Sequence, residues 1–380
     1  MSDKKSPELE NYSANIDGAE LVLSCTELKE TLNFYIDLLG FRIDSIFPAD
    51  DPQTAMISGY GTKICLQIDG KVCLSKLRFT CTKNLNKTIR APNGTEIELV
   101  SNEQPLIIPN QISSFVHTKY NESDSWHLGR AGMRYRDLIP GRQGGRFIAS
   151  HIQIPEAGPV SDYVHFHKVR FQMIYCYKGW VRLVYEDQGE EFILKAGDAV
   201  LQPPEIRHRV LESSSNLDVI EIGCPAIHET HADHEMLLPN GTVNPEHDFN
   251  GQTFVHHENH KAVYREWRRE GFEARDLGIA DATQGLAGAY VVRRKGVINS
   301  EFIEHKEEFL MFFVLTGNLS INTLTKGSVI LETGDTCIIP KHFAHCFEGC
   351  SDDFEMLEVR FSANFKTQPI TESIIQSIIQ

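Results

Sequence analysis

None of the nine cysteines lies in a Cys-x-x-Cys spacing, so the chain signals neither a zinc knuckle nor a disulfide framework. Cys65, Cys176 and Cys337 fall in apolar stretches, as buried thiols of a reducing compartment do. No run of 18 apolar residues occurs, and the polar start MSDKKSPELENYS lacks the apolar centre of a signal segment. A cytoplasmic protein without membrane contact is the expectation. Basic charge is also scarce, 37 Lys and Arg against 52 Asp and Glu, a net −15. That balance repels phosphates, which argues against a nucleic-acid partner, and no helix-turn-helix pattern contradicts it. The 380 residues, 41% hydrophobic and 23% charged, have an ordinary globular composition and suffice for two or three domains.

The chain is organised around residues 158–208. His165 and His167 are separated by one residue, so on a β-strand they share a face and their imidazoles can converge on one metal ion. Gln172 has the wrong parity for one unbroken strand, so residues 168–170 must turn or bulge before it can face the same point. His208 follows a Gly-Asp turn at Gly197, a short apolar strand and the corner at Pro203 and Pro204, and can return from a neighbouring strand. Three imidazole nitrogens and one amide oxygen suit a divalent transition metal with open positions.

Gly158, His165, His167, Gly179, then Gly197, Pro203 and His208 resemble the two motifs of the cupin superfamily. The departure is Gln172, where that family usually has glutamate. An internal repeat extends the resemblance. Gly132, Arg136, Asp137 and Leu138 recur as Gly271, Arg275, Asp276 and Leu277; Gly179 recurs as Gly317, Pro203 as Pro340 and His208 as His345. The chain thus resembles a bicupin. In the second copy His167 becomes His305, but His165 becomes Ile303 and Gln172 becomes Leu310. That site is expected to be empty unless Glu301, Glu308 or His342 substitutes.

Nearer the start, a strand at 20–25 precedes an apolar helical stripe of Leu28, Leu32, Tyr35, Ile36 and Leu39 closed by Gly40, then strands at 41–47, 54–58 and 63–68. This order, and Pro92 to Leu99 as a closing strand, resemble the glyoxalase/bleomycin-resistance (vicinal oxygen chelate) family. Glu20 and Glu98 fall at two ligand-like positions of such proteins, but the second module has almost no room for its helix. A degenerate, structural or dimerising domain is expected.

The fold class is therefore mainly β, two tandem cupin jelly-roll barrels after a small α+β vicinal-oxygen-chelate-like domain. Its expected parts are a disordered start (1–17), the glyoxalase-like domain (18–102), a linker (103–126), the metal-binding first cupin (127–225), a crossover (226–262), a degenerate second cupin (263–366) and a tail (367–380). The crossover carries His228, His231 and His234, read as a polar cover over the barrels or as a contribution to the first barrel's mouth.

A neutral ligand set would leave a divalent ion its full charge and strong Lewis acidity. It also removes a carboxylate that could take a substrate proton, so Tyr163, Glu205 and His151 become the candidates for proton transfer. Phe166, Phe171, Tyr175, Tyr177 and Trp180 surround the ligands in sequence, with Arg146, Arg170, Arg182, Arg207 and Arg209. Alternate aromatic residues and one or two arginines are expected to face a pocket for a small organic anion of enol or phenol type. The resemblance implies a metal-dependent enzyme, with Fe(II) favoured and Mn, Ni, Zn or Cu as alternatives. A dioxygenase is the first expectation, a non-redox cyclase, isomerase or lyase the second, and a small-molecule receptor the third. A homodimer is a further expectation.

Overall fold

A computed structural model describes residues 16–72, 74–83, 85–102, 105–121 and 126–370. Most of the expected disordered start and of the C-terminal tail lies outside the described residues. The chain divides into two compact units, Met1–Pro105 and Leu106–Gln380. Among the described residues, no helix is long and apolar enough to cross a membrane.

In the first unit, Leu21–Cys25 pairs in parallel with Thr62–Ile68, and Thr54–Gly59 and Arg42–Phe47 complete a four-stranded sheet. The helix Leu28–Asn33 runs on through a wider turn to Leu38 and buries Leu28, Leu32 and Tyr35 against Ile57 and Ile64. Gly40, at φ +77°, closes it by donating to the Ile36 carbonyl at 3.1 Å. A second sheet holds Lys76–Cys81, Glu96–Ser101 and Lys87–Arg90, with no helix between them among the described residues. Glu98 is engaged by Lys76 Nζ at 2.8 Å and Arg78 Nε at 2.9 Å, so two cations of its own sheet occupy its carboxylate.

The second unit is a pair of barrels, each built from a large and a small sheet. The first barrel's seven-stranded sheet is centred on Phe171–Lys178, Leu217–Cys224 and Ile148–Ile154; opposite it stand Trp180–Tyr185, His208–Ser213 and His165–His167. The second barrel repeats the plan with Phe309–Thr316, Glu355–Phe361 and Gly288–Arg294 opposite Asn318–Thr323, His345–Cys350 and Ile303–His305. The repeat holds at the level of register. Ile303 lies opposite His345 as His165 lies opposite His208. Leu310 O accepts from Ile339 N as Gln172 O accepts from Gln202 N.

The large sheets pack face to face. Phe147, Phe171, Met173, Ile220 and Ile222 from one meet Phe309, Met311, Phe313, Leu357 and Val359 from the other in one buried cluster. Full burial of each such side chain contributes about 1.5–3 kcal/mol, so the barrels share a core. They also exchange edges. Val116–Thr118, from the stretch expected as a linker, adds a strand to the second barrel, and Val255–His257 of the crossover adds one to the first. The repeated arginines cross in the same way: Arg136 donates to Gly334 O at 3.0 Å, and Arg275 to Gly197 O at 2.9 Å. Within the expected linker, Val116–Thr118 is thus more than a connection.

Candidate metal centre

Strand parity places His165 and His167 inward and turns Phe166 outward, where it stacks on His231 with ring centres 5.0 Å apart. Residues 168–170 leave the small sheet, and the chain resumes in the large one at Phe171. This break resets the parity, and Gln172 looks across the barrel toward the histidines. His208 opens its strand directly opposite His165, with the Tyr185 ring stacked on it at 5.5 Å. Ligand atoms of His165, His167 and His208 all lie within 4.8 Å of one another. Among the described residues this is the one cluster of its kind.

Each of these rings is anchored in the same way. His165 Nδ1 lies 2.8 Å from Tyr163 O, His167 Nδ1 3.1 Å from Glu229 O, and His208 Nδ1 3.0 Å from Ile206 O. A carbonyl oxygen only accepts, so each Nδ1 is the protonated nitrogen and each Nε2 keeps its lone pair. Outer hydrogen bonds of this kind fix tautomer and ring angle in metal-binding histidines. Burial keeps the rings neutral. It pushes His167 down to about 3, aided by its neighbours His228 and His165, and pushes His208 well below the usual value. His165 is also lowered, first by burial and then by the charge of Arg130. Neutral, oriented imidazoles are the donors a divalent transition metal requires, and the residues present fit one.

Two partners complicate the ligand set. Gln172 Nε2 donates to Glu221 Oε1 at 2.6 Å, which leaves the amide oxygen as its remaining donor atom. Arg130 pairs with Asp162 and places Nη2 2.6 Å from His165 Nε2. That nitrogen can accept from Arg130 or ligate a metal, but not both at once.

The barrel encloses a cavity of about 290 Å³. Its walls are aliphatic, with Ile148, Ile152, Ile174, Leu183 and Val219 prominent, and Arg130, Gln172, Glu221 and His228 supply polar groups. The aromatic residues and arginines expected on the lining are corrected: the aromatic residues there are Tyr135 and Tyr185, and the arginine is Arg130. Phe171 and Tyr175 face the shared core because Gln172 and Ile174 take the inward positions. Arg146 and Arg170 bind Glu308, Arg182 binds Glu191 and Glu212, and Arg207 binds Asp233.

The three candidates for proton transfer lie elsewhere. His151 alternates with the inward Ser150 and Ile152, so it faces the other barrel among Trp126, Tyr177 and Phe313. Tyr163 is 43% exposed and serves through its carbonyl. Glu205 adopts a left-handed turn, and its backbone N–H donates to His167 O. Neither lines the cavity. Sequence reasoning missed Arg130 and Glu221. A charged residue among the apolar inward positions Leu217 and Val219 of the 217–224 strand was the available signal for Glu221. Arg130 recurs as Arg269 at the spacing of the repeat. His228 does reach the first barrel, with its ring 5.2 Å from His167, while His231 and His234 stay on the outer face against Phe166 and Tyr163.

In the second barrel, Ile303 and Leu310 stand where His165 and Gln172 stand in the first. Phe312, Phe347, Phe354 and Met356 pack the interior. His305 Nε2 is 3.0 Å from Ile339 O, so the nitrogen that would ligate is already engaged. Glu308 is held by Arg146 and Arg170, and His342 is largely exposed.

Residues 151–223 match the family of the Cupin domain. No curated protein sequence matches this chain. Among solved structures, a deletion mutant of oxalate decarboxylase from Bacillus subtilis is similar at a TM-score of 0.50 and 13% identity, over 73% of this chain and 86% of that one. Protein Ylba from E. coli is similar at a TM-score of 0.50 and 10% identity, over 68% of this chain and 94% of that one. The shared feature is the fold: this chain carries two cupin jelly-roll barrels.

Proposed function

We propose that the first cupin barrel is the active site of a metal-dependent enzyme acting on a small organic anion whose enol, phenol or carboxylate group adjoins an apolar body. The observation that carries this reading is a cluster of three imidazoles, each fixed through Nδ1 by a backbone carbonyl, with His167 and His208 at the wall of a mostly aliphatic cavity and His165 beside them behind Arg130. His165, His167, His208 and the oxygen of Gln172 would hold the ion. Iron(II) is favoured, with manganese, nickel, zinc and copper suited to the same donors. Bacillus subtilis oxalate decarboxylase has Mn(II) centres, which supports manganese as the alternative. When bound, such an ion supplies Lewis acidity toward a chelating oxygen and, if it is iron, a redox couple for dioxygen.

The chain's own residues do the rest. Arg130, released from His165, pairs with the anionic group of the substrate. Glu221 orients the Gln172 amide and exchanges a proton with the substrate from the same wall. The aliphatic walls exclude water from the reacting group and select an apolar body. A dioxygenase is the preferred reading, because a neutral shell and a dry cavity suit oxygen chemistry. A lyase or isomerase without redox chemistry is the second reading, favoured by Glu221 as an internal proton carrier.

Oxygen uptake by the iron-loaded protein, measured across small phenols and 1,3-dicarbonyl compounds, tests the choice. Uptake with iron and none with zinc supports the dioxygenase. Conversion by the zinc or manganese form without uptake selects the second reading. In His165→Ala the metal content should fall to background, and metal retained at the original stoichiometry would overturn the site.

A further inference from the structure

In the first barrel a guanidinium stands between the cavity and one of the three histidines. Arg130 lines the cavity, and His165 does not. Nη2 of Arg130 lies 2.6 Å from His165 Nε2, while Nη1 pairs with the buried Asp162. His165 Nδ1 donates to Tyr163 O, so Nε2 carries the lone pair of the ring and accepts from the guanidinium. A metal held by His165 needs that same lone pair, and the arginine has to release it first.

The arginine is placed to move. Its side chain is 29% exposed, and it stands on the short turn Arg130–Gly132, outside the strand ladders. Gly129 N closes the base of that turn by donating to Met133 O at 2.8 Å, so a rotation of the side chain disturbs no strand. Asp162 is fixed independently, because its second oxygen accepts from Val210 N at 3.0 Å. Nη1 can therefore stay on Asp162 while Nη2 leaves His165. The cavity offers the freed Nη2 little in exchange. Its walls are mostly aliphatic, and the acidic residue of the lining, Glu221, already accepts from Gln172 at 2.6 Å. The missing acceptor has to come from a ligand.

We propose that Arg130 couples the two ligands of this barrel: an organic carboxylate draws Nη2 away from His165, so that carboxylate and divalent metal bind cooperatively. The coupling rests on the metal site proposed above and adds to it a condition for loading. Carboxylate is the class, since guanidinium groups bind planar carboxylates through charge-assisted hydrogen bonds and the aliphatic walls take an apolar body. Such coupling is reciprocal: the factor by which the carboxylate raises metal affinity is the factor by which the metal raises carboxylate affinity. One charge-assisted hydrogen bond sets it at about tenfold.

Zinc(II) is the metal probe and isovalerate the carboxylate probe, with isovaleramide as its neutral counterpart. Zinc affinity of the full-length, metal-free chain is measured against a chromophoric chelator at constant ionic strength, with and without each compound. Isovalerate should raise that affinity about tenfold, and isovaleramide should leave it unchanged. Calorimetric titration of isovalerate into the metal-free and the zinc-loaded protein should return the same factor. Arg130→Met combined with Asp162→Asn removes the cation together with the carboxylate it neutralises. In that variant zinc should bind more tightly without isovalerate, and the isovalerate effect should vanish. Arg130→Lys, which keeps a cation for Asp162, is the second variant and should behave alike. A carboxylate that only ligates the metal would keep its full effect in both variants, and that outcome overturns the coupling. Stoichiometric zinc with no isovalerate effect in the original chain also overturns it, and leaves the metal site standing. Absence of zinc binding from the original chain and both variants overturns the coupling and the metal site together.

Discussion

His165 Nε2 is the atom on which the first barrel turns. It lies 2.6 Å from an N–H of Arg130, whose other arm holds the buried Asp162. A metal at His165 must displace that hydrogen bond, so arginine and metal compete for one lone pair. Arg130→Lys keeps a cation for Asp162 but lacks the fork that reaches both partners. Metal affinity, measured against a chromophoric chelator, should rise by about tenfold, the worth of one charge-assisted hydrogen bond. Turnover should fall at the same time, because the clamp on the substrate is lost. Unchanged affinity would show that Arg130 does not compete. The four candidate ligands were legible as residues. Their competitor was not, because nothing in the order of the chain places residue 130 beside residue 165.

At the scale of elements, the second barrel keeps the strands of the first and replaces what they point inward. Ile303 faces His345 across the same ladder position that joins His165 to His208. Phenylalanines fill the volume that remains open in the first barrel. Changing His305 and His345 together to Gln should leave metal content and turnover near those of the original chain, by elemental analysis and steady-state assay. The cost should appear in stability instead, about 1–3 kcal/mol for each disturbed buried hydrogen bond. Loss of metal in that variant would show a second centre. The alternation of a strand explains why the aromatic lining was misjudged. Phe171 and Tyr175 are as apolar as Ile174, and which face looks into the barrel is set by the sheet packed behind them.

For the whole molecule, burial of imidazoles dominates the response to pH. His151, His165, His167, His208, His256, His257, His305 and His345 are all lowered, chiefly by desolvation. His167 reaches about 3 and His305 about 4. An unfolded histidine binds a proton near pH 6.5, so below that value the unfolded chain takes up protons the native chain refuses. The native advantage is complete above about pH 6.5 and declines as the pH falls toward the native values. Scanning calorimetry of the metal-free protein should show a midpoint that is level from pH 7.5 to about pH 6.5 and falls from there to pH 5. A flat profile would mean that these rings are hydrated in solution. Asp218, Glu308 and Asp335 are held low by histidine and arginine partners, so their loss adds to the decline only in the acid range.

The sequence by itself determined the duplication, the strand on which two histidines share a face, the third histidine and the loss of ligands in the second copy. These follow from period and spacing, which are local properties of a chain. The same reasoning found the helix that Gly40 closes and the missing helix of the first unit's second half. Tertiary structure alone decided that residues 116–118 belong to the second barrel and residues 255–257 to the first. It also set His151 into the shared core, brought Glu221 to Gln172 and gathered Arg268 and Arg360 around Glu358. Each of those outcomes joins residues far apart in the chain across a sheet interface. Their contacts depend on which faces pack together, and that choice is made by the buried area of the folded pair of barrels rather than by any one segment.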